Sequence, residues 1–167
     1  MQSSDDVSAA CALGDKIYVF YEVLETEKSK GKNFINILHN PGASFSSLDP
    51  PRWQVIVAPQ DCASSRRCVA FVPLNSTEIA ILGGCNNHRY CKDVTIFNTS
   101  TDQFKKEIEE GSLTFLGRSG MSAQVRENFI FALVSDQNDK QLLINYTKGD
   151  TGVTSIPISD EWEWAQD

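Results

Sequence analysis

The sequence predicts an all-β chain built from about three successive four-stranded antiparallel units. Three observations predict it. An order of short apolar segments returns along the chain at a spacing of about 50 residues, a period that decides architecture before any local reading does. Each segment is four to eight residues rich in Val, Ile, Phe and Tyr and is bounded by Gly, Asn, Asp or Ser. Apolar residues at helical spacing are almost absent.

The clearest unit is "RRCVAFVPLNSTEIAILGGCNNHRYCKDVTIFNTSTDQFKKEI", residues 66–108. It reads as a strand, a turn at Asn75, Ser76 and Thr77, a strand over 79–82, the pair Gly83 and Gly84, a loop, a strand over 94–98, a polar turn and a last strand from near Phe104. The stretch "TDQFKKEIEEG" also admits a helix capped by Thr101, but its place in the repeat favours a strand followed by a polar loop.

The same order returns in "RSGMSAQVRENFIFALVSDQNDKQLLINYTKGDTGVTSIPI", residues 118–158. There Ile79 answers to Phe129 or Ile130, and "VTIF" answers to "LINY". Upstream, "VSAACALGDKIYVFYEV" and "NFINILHN" form a further copy, in which Trp53 stands where the clear unit has Phe104. This unit is longer because two connections, 22–32 and 39–51, have grown. The units therefore run over about 5–58, 66–110 and 118–158, within a single domain, and are followed by a tail at 159–167. Trp162 and Trp164 in the tail alternate with Glu161 and Glu163, which suits either a strand on its own sheet or a segment that completes a partner's sheet.

The clear unit resembles a kelch repeat, the building block of a β-propeller. The matching residues are Gly83 and Gly84 after the second strand, the strand "VTIFN" with Phe97, the turn "TDQF" leading to Phe104, and an arginine opening the first strand. Tyr21 and Glu22 replace the glycine pair in the first copy, and Ser135 and Asp136 replace it in the third. The resemblance implies a kelch-like propeller segment with small residues, as in "VSAACAL" and "GMSAQV", on the crowded inner strands. Propellers close with about four to eight blades, so three make an incomplete ring. A second copy, another chain, or further blades of a longer propeller would complete it.

The same implied architecture gathers the loops after each second strand and the connections between blades on one rim. Arg66, Arg67, His88, Arg89, Tyr90 and Arg118 then meet as a partner-binding surface, of the kind kelch propellers use to hold peptides. Clustered arginines with a tyrosine suit an acidic peptide through bidentate ion pairs and stacking. The competing expectation for the arginines that open first strands is a structural hydrogen-bonding role between blades.

The loop "CNNHRYC" permits another chemistry. The spacing Cys85-x2-His88-x2-Cys91 could place three zinc ligands on one loop, with Cys62 or Cys68 as a fourth. Cys85 and Cys91 could instead form a redox pair, or be ordinary turn residues, which the repeat already explains. With only His39 and His88 as histidines, no G-x-S-x-G elbow and no P-loop, the expectation is a protein without catalysis or a cofactor of its own.

Bulk properties set the remaining expectations. The 167 residues are 41% hydrophobic and 22% charged, enough to bury a core. The formal charge of -7 opposes a nucleic-acid surface. No apolar run reaches the roughly 18 residues of a spanning helix. Five irregularly spaced cysteines and no basic start leading into an apolar run point to a cytoplasmic, reducing setting. The Asn-x-Ser/Thr triplets at Asn75, Asn98 and Asn145 keep a secreted carbohydrate-binding or oxidase-type fragment as an alternative.

Overall fold

The computed structural model describes residues 6–23, 31–60, 66–86, 89–91, 93–108, 122–127, 129–135, 141–147 and 153–157. Among them every regular element is a strand, so the expected all-β class is met. In the described part of the stretch that admitted a helix, residues 103–108 are instead extended and pair with the strand before them. The pairing places Phe104 opposite Phe97, and their rings pack 4.8 Å apart.

The first sheet holds β1 (Asp6–Leu13), β2 (Lys16–Val23), β3 (Lys32–His39) and β4 (Arg52–Val57) in chain order. The second holds β5 (Ala70–Asn75), β6 (Glu78–Leu82), β9 (Val94–Asn98) and β10 (Gln103–Ile108). Between β6 and β9 the chain inserts a two-stranded hairpin, β7 (Cys85–Asn86) and β8 (Arg89–Tyr90). The third sheet holds β11 (Ser122–Arg126), β12 (Phe129–Ser135), β13 (Gln141–Thr147) and β14 (Val153–Pro157). All neighbouring strands run antiparallel, and among the described residues no sheet closes on itself.

Turn chemistry accounts for the corners. Gly14 takes a positive φ of 61° between β1 and β2, where a side-chain-free residue is least strained. Asn75 accepts the Thr77 backbone N–H at 2.9 Å, and Asn98 accepts those of Ser100 and Thr101 at 3.0 and 3.1 Å. These Asn side chains replace backbone partners in tight turns. Pro73 is tolerated because β5 is the edge strand of its sheet, and a register shift follows it before Asn75.

Register makes the three sheets equivalent. The second residue of the second strand is isoleucine in each: Ile17 faces Leu38, Ile79 faces Phe97 and Ile130 faces Tyr146. The ambiguity between Phe129 and Ile130 is thus resolved to Ile130. We call the side of each sheet that carries this residue its isoleucine face, and the other its opposite face.

Alternation along strands then dictates stacking. Tyr18, Phe20, Ile35 and Ile37 on the opposite face of the first sheet pack with Phe71, Ile79, Ile81 and Phe97 on the isoleucine face of the second. On its other side the second sheet packs Ala70, Val72, Ala80, Leu82, Val94 and Ile96 against Ile130 and Ala132 of the third. The second sheet is therefore apolar on both faces, which is why "IAIL" is buried at all four positions while "IYVFYEV" alternates. Full burial of a side chain such as Ile79 contributes roughly 1.5–3 kcal/mol. The first strands stand side by side, β5 between β1 and β11.

Candidate functional site

The site grows from the double glycine at the end of β6. Gly83 and Gly84 have φ of 59° and 91°, the left-handed region that side chains disfavour. A Cβ on Gly84 would lie 2.7 Å from the Arg67 carbonyl oxygen and 2.8 Å from Val69 Cγ1. Only a bare backbone fits there. The approach lets Arg67 and Cys85 exchange two backbone hydrogen bonds of 2.9 Å each. Cys85 pairs on its other side with Tyr90, and the Cys91 N–H closes the hairpin onto the Gly84 carbonyl at 2.9 Å.

Arg67, Cys85 and Tyr90 thus form one cross-strand row. Residues directly opposite in an antiparallel ladder project to the same side. The Arg67 guanidinium bonds to the Cys85 thiol, which raises its pKa above the ordinary arginine value. Tyr90 is 40% exposed and sits at the end of the row. A cation, a thiol and a partly exposed phenol in one cross-strand row can bind a carboxylate or stack a flat group.

The predicted rim residues divide. Arg67 and Tyr90 come together through Cys85. Arg89 lies on β8 beside Tyr90 and pairs with Asn86. His88, Arg118 and Cys62 lie outside the described residues.

Arg66 requires a correction. Expected on the binding rim, it is only 1% exposed. Its guanidinium donates to both carboxylate oxygens of Asp93, at 2.6 and 2.8 Å, and to the Gly83 carbonyl at 3.3 Å. Its backbone N–H donates to the Asn33 side chain of the first sheet at 3.2 Å. A charge buried this deeply is tolerated because a bidentate partner neutralises it. Arg66 braces the first sheet, the glycine pair and the start of β9.

Other features were less visible from residue types. Asp93 read as a loop residue, and only the buried arginine reveals its role. Trp53 holds the place of Phe104, as expected, but it is 58% exposed. It lies on the isoleucine face of the first sheet, which no other described sheet covers. Phe45 and Leu48 are also exposed, in the long connection 40–51.

Cys11, Cys68, Cys85 and Cys91 are not in disulfides. Burial pushes the Cys11 thiol from 9.0 up to about 12, which favours its protonated form. Among the described residues, no group of three or more Cys, His, Asp and Glu side chains is placed to hold a metal. The proposed ligand His88 lies beyond them. No helix among the described residues is long and apolar enough to cross a membrane.

No protein-family model matches the chain, and no curated protein matches its sequence.

Proposed function

We propose that the chain is a segment of a kelch-like β-propeller and acts as a non-catalytic protein-binding module, taking an acidic peptide on the rim formed by Arg67, Cys85 and Tyr90. The observation that carries the reading is that row. It rises from the glycine-enforced contact between Gly84 and Arg67, and it stands on a hairpin inserted between the second and third strands of the middle sheet. A ligand loop on a rigid scaffold is the usual division of labour in binding proteins. Three equivalent four-stranded sheets, stacked face to face with their first strands adjacent, support the propeller part of the reading.

The chemistry favours an acidic ligand containing an aromatic or other flat group. Arginine offers a planar fork to a carboxylate, and tyrosine offers an amphipathic ring at low entropic cost.

The test is selection of a randomised displayed-peptide library on the full chain. Acidic sequences should be enriched, and enrichment should be lost with Arg67→Ala or Tyr90→Ala. Neither replacement removes a backbone hydrogen bond, so the hairpin stays formed. Selection that returns no acidic consensus, or one indifferent to both replacements, removes the reading.

A further inference from the structure

We infer that the bare isoleucine face of the first sheet is the docking surface for the third sheet of a second copy of this chain, so that two copies close one ring of six sheets. The inference rests on the propeller reading above and adds to it the identity of the missing neighbour.

Both joins within the chain follow one rule: the opposite face of one sheet covers the isoleucine face of the next. Among the described residues two faces are left over, and they are of different kinds. The first sheet ends in an isoleucine face, carrying Trp53, Val55 and Val57 at 58, 55 and 54% exposed, with Tyr21 stacked on Phe34 at 5.2 Å beside them. The third ends in an opposite face, carrying Phe129 and Phe131 with ring centroids 6.2 Å apart. What covers an isoleucine face in this fold is an opposite face, and the chain itself carries a spare one.

Three sheets are fewer than the roughly four to eight that close a propeller. Two copies supply six. The two contacts would be identical and head to tail, an arrangement that closes into a ring under two-fold symmetry.

The experiment is sedimentation velocity on the full chain over a range of concentrations, with Trp53→Lys and Phe131→Glu as separate variants. The expected species has twice the 18.6 kDa mass of one chain. Each variant alone should weaken association by about tenfold or more, as loss of a central aromatic does. Mixing the two should restore association in part, because one of the two contacts is then native on both sides. Val55→Lys repeats the test should Trp53→Lys disturb folding.

A chain that stays monomeric throughout, a particle other than a dimer, or a dimer indifferent to Phe131→Glu overturns the inference. Wild-type chain that is monomeric yet unfolds in one cooperative step and still selects acidic peptides would remove self-association alone. Independent unfolding of the three sheets would instead remove the propeller reading.

Discussion

Trp53 and Phe104 occupy equivalent positions, one opposite Leu38 in the first sheet and the other opposite Phe97 in the second, yet only Phe104 is packed into a join between sheets. The residues differ in what lies in front of them, not in their place in the repeat. Their energetics should differ accordingly. Phe104→Ala should destabilise the chain by about 1.5–3 kcal/mol, whereas Trp53→Ala should change dilute monomer by less than about 0.5 kcal/mol. Urea midpoints measure both, and a large loss from Trp53→Ala would mean that its face is covered within a single chain.

The Arg66 and Asp93 pair should be intolerant of single changes. Asp93→Ala leaves a guanidinium buried without its counter-charge and should cost about 3–5 kcal/mol. The joint replacement Arg66→Met with Asp93→Leu should recover most of that loss, since neither charge then remains in the interior. Chemical denaturation of the three variants checks the pattern, and a mild effect of Asp93→Ala would show that the guanidinium reaches water.

Two glycines with positive φ should respond differently to alanine. Gly14→Ala meets no atom within 4 Å and should cost only the backbone strain, about 1 kcal/mol. Gly84→Ala adds a collision with the Arg67 carbonyl and should cost more, about 2–3 kcal/mol. It should also displace the hairpin that carries Tyr90. Thermal midpoints compare the two, and equal losses would contradict the contact at Gly84.

Cys11 should resist alkylation in the folded chain. With its thiol near 12, it holds roughly a thousandfold less thiolate at pH 8 than an ordinary cysteine. Mass-mapped iodoacetamide labelling in buffer and in urea should show Cys11 modified only when unfolded. The same shift sets a pH effect. Because the folded value lies above the unfolded one, the unfolded state loses its proton first, and stability falls as pH rises from about 9 to about 12. Tyr18, also raised by burial, acts in the same direction. Cys11→Ala should flatten that decline, and an unchanged slope would exclude Cys11 as its source.

Much of the strand order was legible because period-two alternation and turn residues are local signals. The register equivalence of Val94, Thr95, Ile96 and Phe97 with Leu143, Ile144, Asn145 and Tyr146 follows directly from the repeat. The site was less legible. Arg66 and Arg67 are adjacent and identical in type, and no periodic element precedes them to say which turns inward. That choice is made by Asp93, distant in sequence. The segment 85–90 read as plain loop because a two-residue strand has no alternation to display, and its pairing depends on the Arg67 backbone. The exposure of Trp53 is likewise a property of the whole stack, since the same position in the next sheet is covered.

The doubly apolar second sheet has a consequence for biosynthesis. As the polypeptide leaves the ribosome, the side bearing Ala80, Leu82, Val94 and Ile96 stays wet until Ile130 and Ala132 follow. At typical elongation speeds that delay lasts a few seconds. During that interval a greasy, strand-rich surface is open to chaperones or to a neighbouring nascent chain, and a stop placed between residues 108 and 122 would make the exposure permanent.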